Sequence, residues 1–279
     1  MPELPEVETI RRDLAAAIVA RRIIDVAVLD SKLVHGTAPE RFRARLTGAR
    51  LRGTARRGKY LVLRLDRGLL VLHLMMSGRL QLRATAEPLP HTRLVIEFDR
   101  GPVLHFIDVR RFGRAWLVSE REAEGLFARL GPEPLTAEFD WRDLRAGFAG
   151  RRVAVKPALL DQRAVAGLGN IYADEALWLA RIHPGTPAGS LRAPKLRALA
   201  EALVTVLHEG IAHGGTSFRA YLNSEGKPGA HQHRLIVFRR TGQPCPRCGR
   251  PVRRIVLGQR STHFCANCQR RPRGRIRSG

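Results

Sequence analysis

Four cysteines near the C-terminal end constrain the fold of this chain more than any other feature. They form two Cys-x-x-Cys pairs, Cys245/Cys248 and Cys265/Cys268, with sixteen residues between the pairs. This spacing predicts one tetrahedral Zn²⁺ site with four thiolate ligands. Because the protein then fills every ligand position, the metal would hold a hairpin and would not activate water. Two disulfides are the alternative, and they would need an oxidising compartment.

The charge of the chain indicates a polyanionic partner. The 279 residues include 49 Lys and Arg against 25 Asp and Glu, which gives a formal net charge of +24. Residues 226–279 contain fourteen basic residues and no acid. A solvated surface normally mixes both signs, so this segment predicts a phosphate-binding surface, with nucleic acid as the commonest partner. The alternative is a basic tail without a partner.

The sequence has neither a secretory signal nor a membrane-spanning stretch. Glu3, Glu6 and Glu8 occupy the place of the apolar core of a signal peptide. Nowhere does the chain approach the ~18 uninterrupted apolar residues of a membrane helix. The sequence therefore predicts a cytoplasmic protein without membrane contact, in which thiols stay reduced and can bind metal.

Hydrophobic periodicity divides the chain into successive regions. Val7, Ile10, Leu14 and Ile18 repeat at helical spacing and predict a helix at the start. Short β-like runs follow and favour an antiparallel sandwich or barrel. These runs cover residues 23–30, 59–65, 69–76, 93–98, 103–107 and 114–118. After the proline-containing segment 131–134 the pattern becomes helical, with helices expected within 173–179 and 196–207.

A glycine-containing turn at residues 165–170 precedes one of these helices. Gly167 and Gly169 would let backbone amides approach an anion, and Asn170 is expected to cap the helix. A phosphate at this helix start would be held by free N–H groups and the helix dipole. An ordinary capped turn is the alternative.

The first residues could form a reactive centre. Met1 precedes Pro2, a small residue after which the initiator is usually removed. Removal would leave a secondary amine that is partly neutral, and so nucleophilic, near neutral pH. Attack on a sugar C1′ would expel a base and leave an iminium, and Glu3 and Glu6 could transfer the protons. The alternative is an ordinary acidic helix start.

Six stretches occur together in an order that resembles formamidopyrimidine-DNA glycosylase, the bacterial enzyme family that removes 8-oxoguanine and ring-opened purines. They are MPELPEVET, LHLMMSGRL, DVRRFGR, VAGLGNIYADE, SEGKPG and the cysteine pairs. The resemblance implies an α+β fold with an N-terminal β-sandwich flanked by helices, a helix-two-turn-helix domain and a C-terminal β-hairpin zinc finger. The domains implied are 1–131 (catalytic), 132–234 (DNA-binding, with the lesion loop), 235–270 (zinc finger) and 271–279 (basic tail).

The resemblance also implies roles for individual residues. Pro2 would be the Schiff-base nucleophile, Glu3 the acid/base for base loss and sugar opening, and Lys59 the proton carrier in β-elimination. Arg260 would contact phosphates beside the lesion and assist δ-elimination. Further DNA contacts are implied for His91, Arg110, Arg151 or Arg152, Lys156 and Asn170. Met76, Arg110 and Phe112 would enter the duplex and fill the space of the flipped nucleotide.

The implied function is a bifunctional DNA glycosylase/AP lyase, a monomer that acts on damaged double-stranded DNA and carries one structural Zn²⁺. Two alternatives stay open: an endonuclease VIII-like enzyme that prefers oxidised pyrimidines, and a DNA-binding protein that keeps the fold without cleaving. Met75 stands where the family commonly has Gly, and Ala230 and His231 stand where an aromatic pair is usual. These departures leave the lesion preference open.

Overall fold

The computed structural model describes residues 2–217, 223–224 and 226–271, which group into two compact units. The first unit comprises Met1–Ala128 and Gly210–His233, and the second comprises Arg129–Glu209 and Arg234–Gly279. Part of the predicted lesion loop and residues 272–279 of the basic tail lie outside the described residues.

The first helix, α1 (Leu4–Ile18), lies where the apolar repeat predicts it. Pro5 is in its first turn, where the fixed φ of proline suits a helix and its missing N–H is not needed. The four repeating apolar residues, Val7 to Ile18, are buried and belong to the main core of the first unit.

Among the described residues, the strands of the first unit form two sheets that enclose one core. One sheet has the strand order β1-β7-β8-β6 and the other β2-β9-β5-β4-β3. Apolar side chains from both sheets and from α1 form one buried cluster, so the predicted β-sandwich is confirmed. The strands are β1 (Ile23–Val28), β2 (Val34–His35), β3 (Leu51–Arg57), β4 (Tyr60–Leu65), β5 (Gly68–His73), β6 (Gly78–Arg83), β7 (Thr92–Phe98), β8 (Val103–Asp108) and β9 (Arg114–Val118).

Two helices cover this sandwich. α2 (Pro39–Leu46) contacts β1 and buries Phe42 and Leu46. α3 (Glu120–Phe127) packs on β5 and β9 and buries Ala123 against the outer face of that sheet. Because β5 is covered on both faces, its residues from Leu69 to Leu72 are all buried. This explains why the strand reads as a continuous apolar run rather than an alternating one.

The second unit is helical and ends in a hairpin. Its helices are α4 (Trp141–Phe148), α5 (Val155–Leu160), α6 (Asn170–Leu179) and α7 (Ala193–Ala212), the last of which continues into the first unit. The hairpin consists of β10 (Arg253–Leu257) and β11 (Arg260–Phe264). The predicted apolar face of α7, from Leu196 to Leu207, is buried. Within the described part of the chain, none of the helices combines the length and apolar character needed to cross a membrane.

Candidate functional site

The start of α1 holds the predicted nucleophile and acid in fixed, buried positions. Pro2 is buried directly before the helix, and Glu3 is 3% exposed. The Glu6 carboxylate accepts the backbone N–H of Glu3 at 2.8 Å and that of Thr216 at 2.8 Å. Glu6, named with Glu3 as a proton carrier, therefore has both oxygens engaged by backbone donors and fixes the turn around Pro2.

Lys59 lies in the tight turn between β3 and β4, next to Gly58 with φ +57°. Its side chain is 6% exposed, which is unusual for a lysine and indicates a defined position. Burial, together with the positive charges of Lys59 and Arg114, lowers the pKa of His73 to about 4. His73 is therefore neutral at pH 7, and the Lys59 ammonium lies close to its ring.

An ion cluster on α1 ties the helix to the hairpin that carries Lys59. Glu8 accepts hydrogen bonds from Arg11 at 2.8 Å and Arg12 at 2.9 Å, and Arg56 of β3 lies 3.4 Å from it. Burial would raise the pKa of Glu8, but the hydrogen bonds from the two helix arginines outweigh it and leave that pKa below its usual value. The helix that begins beside Pro2 and the hairpin turn thus share one charged contact.

Met76 lies in a tight turn between β5 and β6. The turn is closed by the hydrogen bond from the Gly78 N–H to the Leu74 carbonyl at 2.9 Å. Met75 has φ +52°, and its N–H donates to Nδ1 of His73 at 3.0 Å. Met76 is partly exposed, so it is not a core methionine.

Arg110 and Phe112 project from the loop between β8 and β9. Phe112 is 45% exposed, and the Arg110 guanidinium lies 4.6 Å from the centre of its ring. A large exposed aromatic side chain beside an arginine is typical of a binding surface rather than of a core. His91, with φ +69°, is exposed in the loop before β7.

The Lys156 ammonium is buried and paired within the second unit. Its side chain is 0% exposed, and its Nζ lies 2.6 Å from Asp174 and donates to the Ser261 carbonyl at 2.7 Å. Asp174 also accepts the backbone N–H of His263 at 2.9 Å. A buried ammonium needs a close carboxylate, and here that pairing holds β11 against α5 and α6. The resemblance implies a phosphate contact for Lys156, and that role stays a prediction.

Asn170 and Arg260 lie together in the second unit. Gly169 occupies the cap position of α6, so the expectation that Asn170 caps the helix was wrong: Asn170 is the first helical residue. Its Nδ2 donates to the carbonyl of Ser261 at 3.1 Å, next to the exposed Arg260. The N–H of Gly167 donates to Gln162 at 2.9 Å and is therefore used within the turn.

Arg151 and Arg152 differ in their surroundings. The Arg151 guanidinium donates to Asp161 at 2.8 Å, and Asp161 also binds Arg163. Burial opposes ionisation of Asp161, but these arginines lower its pKa to about 2. Arg152 is exposed, which favours it over Arg151 as the residue that contacts DNA.

The four cysteines converge on one point. Their sulfur atoms all lie within 4.8 Å of one another. The cysteines are free thiols, and the sulfurs of Cys245 and Cys268 are 3.9 Å apart, far beyond the ~2.05 Å of a disulfide bond. The set fits one structural Zn²⁺ with four sulfur ligands.

Sequence reasoning missed several buried carboxylates, and Asp30 at 6% exposed is one of them. Asp108 is 1% exposed, Asp174 is 1% exposed and Glu175 is 5% exposed. Glu175 accepts the N–H groups of Ile236, Val237 and Phe238 at 2.8 to 2.9 Å and so fixes the segment before the hairpin. The available signal was an acid inside an apolar run, since such a residue is buried only when it has partners.

A β-sandwich that buries Pro2, followed by helices and a hairpin with four clustered cysteines, is typical of a DNA-binding protein of the α+β class with a structural zinc site. Comparison with known families extends this description. The Formamidopyrimidine-DNA glycosylase N-terminal domain matches residues 1–115, the Formamidopyrimidine-DNA glycosylase H2TH domain matches 130–221, and the zinc finger found in FPG and IleRS matches 242–271. The chain belongs to the formamidopyrimidine-DNA glycosylase family, and it is a DNA glycosylase of base excision repair with AP lyase activity.

Similar proteins match over nearly their full length. The formamidopyrimidine-DNA glycosylase of Geobacillus kaustophilus is 45% identical over 274 residues, which are 97% of this chain and 100% of the relative. The solved structure of Lactococcus lactis Fpg with abasic-site DNA has a TM-score of 0.90 at 38% identity and covers 96% of this chain and 100% of that chain. A Lactococcus lactis Fpg mutant bound to Fapy-dG DNA also has a TM-score of 0.90 at 38% identity, with 97% and 100% covered.

Proposed function

We propose that this enzyme excises oxidised purines, namely 8-oxoguanine and formamidopyrimidines, from double-stranded DNA and then cuts the strand by β,δ-elimination. The observation that carries the proposal is the buried Pro2 directly before Glu3, whose buried side chain belongs to the capping box of α1. The Lactococcus lactis structures with Fapy-dG DNA and abasic-site DNA support the two stages, excision and lyase, for a relative of the same fold.

Base loss begins with the nitrogen of Pro2 after Met1 is removed. This nitrogen attacks C1′ of the flipped nucleotide, the bond from C1′ to the base breaks, and the base leaves with its bonding electrons. The nitrogen of Pro2 passes its own proton to the departing base, and Glu3 supplies the proton that opens the sugar at O4′. The electron pair freed on the nitrogen then forms the C1′–nitrogen double bond of the Schiff base. Burial of Pro2 and Glu3 keeps water away from this cation.

Strand cleavage follows from the acidity that the iminium gives to C2′. Removal of the C2′ proton expels the 3′ phosphate, and a second elimination expels the 5′ phosphate. Lys59, buried in its hairpin turn, is assigned to proton transfer in the first elimination. Arg260, exposed at the start of β11, is assigned to the phosphate that leaves in the second.

The space left by the flipped nucleotide is filled by three side chains. Met76 and Phe112 can wedge between bases, and Arg110 can hydrogen-bond the orphaned partner base. Their exposure on two neighbouring loops of the sandwich supports this assignment.

Phosphate binding is assigned to residues on both units. His91 on the first unit, and Arg152, Asn170 and Arg260 on the second, are the proposed contacts. Arg151 is tied to Asp161 and is the weaker of the two neighbouring arginine candidates. Lys156 stays among the proposed DNA contacts, and its ammonium, paired with Asp174, also holds β11.

The wider setting is also part of the proposal. We infer a monomer that works in the bacterial cytoplasm at the nucleoid, divided functionally at residues 131, 234 and 270. Reduced thiols in the zinc site suit that compartment. Light scattering after size exclusion, with and without a lesion duplex, tests the monomer; a dimer in both samples contradicts it.

Borohydride trapping tests the proposed chemistry. We expect the wild type to form a covalent adduct with 8-oxoguanine DNA, and intact mass to place it on a chain that lacks Met1. Pro2→Gly and Glu3→Gln should lose base excision by at least about 100-fold, because positioned nucleophilic and acid groups contribute that much or more. Both variants should still bind the duplex, since the phosphate contacts lie on other residues.

Pro5→Ala is the matched control, because it removes a buried proline three residues further along the same helix start. It should keep excision and trapping. Normal cutting by Pro2→Gly would overturn the assignment of the nucleophile. Faster excision of thymine glycol than of 8-oxoguanine by the wild type would instead place the enzyme with the pyrimidine-preferring relatives.

A further inference from the structure

The carboxylate of Asp108 joins the two loops that carry Met76, Arg110 and Phe112, which are called the wedge residues here. Asp108 is the last residue of β8 and is 1% exposed. Its Oδ1 accepts the Ser77 hydroxyl at 2.5 Å, and its Oδ2 accepts the Gly113 N–H at 2.7 Å. Ser77 follows Met76 directly, and Gly113 follows Phe112 directly. One side chain therefore connects the turn of Met76 to the loop of Phe112.

The third wedge residue is held by the same pair. The backbone N–H of Arg110 donates both to Oδ1 of Asp108 and to Oγ of Ser77, at 3.2 Å each. The Ser77 hydroxyl thus donates to Asp108 and accepts from Arg110. Bonds to a charged acceptor are roughly twice as strong as neutral ones, so this arrangement is stiffer than ordinary loop contacts.

The backbone of Asp108 connects a further proposed DNA contact. Its N–H donates to the carbonyl of His91 at 3.0 Å, and its carbonyl accepts Nε of Arg93 at 2.9 Å. The loop before β7, where His91 has φ +69°, is therefore fixed on the same residue.

The loop after Asp108 is shaped for this contact. A Cβ at Gly113 would lie 2.6 Å from the ring of Phe106 and 3.1 Å from Oδ2 of Asp108. Only glycine lets the backbone N–H approach the carboxylate so closely at this point. The same close approach places Phe112 at the surface, where it is 45% exposed.

We propose that Asp108, with Ser77, is a positioning residue that fixes Met76, Arg110, Phe112 and His91 in one arrangement before DNA binds. This inference rests on the proposed function, since it concerns the side chains that replace the flipped nucleotide. Side chains ordered in advance lose less entropy when they enter the duplex. The arrangement therefore favours the step that ejects the base, and leaves the chemistry at Pro2 unchanged.

The test compares Ser77→Ala with wild type under single-turnover conditions. Two duplexes are used, one with 8-oxoguanine and one with a preformed abasic site, each with 2-aminopurine in the strand opposite the lesion. Loss of one bond to a buried charge should slow 8-oxoguanine excision and the 2-aminopurine fluorescence rise together by about tenfold. Cleavage at the abasic site should change by less than about threefold, because no base has to leave the stack there.

Ser119→Ala is the matched control. Ser119 donates to and accepts from Glu122 at the start of α3, in the same unit but away from the wedge loops. It should lose stability to a similar extent and leave both rates unchanged. Ser77→Thr, which keeps the hydroxyl, should restore the fluorescence rate that Ser77→Ala loses.

The possible results distinguish a failure of the proposed function from a failure of the positioning role. If wild type neither excises 8-oxoguanine nor cleaves the abasic site, the proposed function itself is overturned. If wild type does both, two results for Ser77→Ala overturn the positioning role of Asp108. One is base ejection and excision at the wild-type rate, and the other is an equal loss of rate in 8-oxoguanine excision and abasic-site cleavage. Asp108→Asn, which cannot accept from both Ser77 and Gly113, should show the same selective loss more strongly.

Discussion

At the residue scale, His73 accepts a hydrogen bond from the turn that carries Met76 and lies near the positive charge of Lys59. Met75 has φ +52°, a left-handed conformation that a residue with a side chain seldom adopts, at a position where the family commonly has Gly. Its N–H is held by Nδ1 of His73 at 3.0 Å, and only a ring nitrogen without a proton can accept that bond. The neutral form of His73 therefore stabilises the turn that presents Met76.

This arrangement predicts how stability depends on pH. The pKa of His73 is lowered from 6.5 to about 4, so between these values the unfolded chain binds the proton more readily. Neutral His73 stabilises the folded state fully above pH 6.5, and this stabilisation falls as the pH drops towards about 4. The change in the free energy of unfolding is up to about 3 kcal/mol. Urea unfolding measured from pH 7.5 to pH 4.5 records this loss.

His73→Phe supplies the comparison for that measurement, because it keeps a ring beside Tyr60 but cannot accept the Met75 N–H. It should be less stable at pH 7.5 and should show a shallower fall towards pH 4.5. His208→Gln, at an exposed histidine of α7, should keep the wild-type slope. An identical slope in His73→Phe would show that this histidine is not the source of the pH dependence.

At the element scale, sequence patterns located the elements whose apolar faces are complete. The repeat in α1 and the buried face of α7 were sufficient, since both helices place apolar residues on one side. In the first unit β2, β3 and β6 were missed: β2 has only two residues, and polar side chains interrupt the apolar residues of β3 and β6. β3 reads Leu-Arg-Gly-Thr-Ala-Arg-Arg, with one fully buried residue, and so lacks the run that marks a central strand.

The ends of elements were harder to predict, because distant partners set them. The predicted strand at 69–76 ends at His73, where the ring accepts the Met75 N–H and the chain turns. Asn170 begins α6 instead of capping it, because its amide is directed to Ser261, 91 residues away in the sequence. Neither contact leaves a local pattern.

The residues of the candidate site also differ in whether the sequence reveals them. Short motifs near Pro2, Met76 and Phe112 could be found in the sequence, because each lies within a contiguous stretch that resembles the family. The role of Asp108 could not be predicted, although the residue begins the DVRRFGR stretch, since its partner Ser77 lies 31 residues earlier. The burial of Lys156 likewise depends on Asp174 and Ser261, which only the folded chain brings together.

The zinc hairpin is an element whose stability depends on its metal. Cys248→Ser removes one of four sulfur ligands, and zinc should then be released, because a structural site needs all four. Arg260 and the strand Arg260–Phe264 would lose their support, so binding to a lesion duplex should weaken by about tenfold or more. Zinc content by atomic emission and affinity by fluorescence anisotropy check both expectations.

Ser190→Ala serves as the control for that experiment, because Ser190 lies outside the hairpin and its hydroxyl donates to the nearby carbonyl of Pro187. Zinc content and affinity should stay at the wild-type level. Unchanged affinity in a zinc-free Cys248→Ser protein would show that DNA binding does not need the hairpin.

At the scale of the whole molecule, charge is distributed unequally along the chain. The net charge is +24, yet residues 226–279 contain no acid among fourteen bases. In the first unit, several arginines are paired with carboxylates, as Arg111 is with Asp30 at 2.6 Å. The charge available to phosphates is therefore concentrated towards the C-terminal end, where Arg260 and its neighbours in the hairpin are exposed.

This distribution predicts the salt dependence of DNA binding. Each phosphate that the protein neutralises adds about −0.9 to the slope of log affinity against log salt concentration. The segment after Arg271 carries Arg273, Arg275 and Arg277 and no acid, so removing residues 272–279 should reduce the steepness of that slope by up to about 2–3. Replacing the three arginines with lysine keeps the charge and should keep the slope. A truncated protein with the full wild-type slope would show that residues 272–279 neutralise no phosphate, and that the rest of the chain accounts for the electrostatic part of binding.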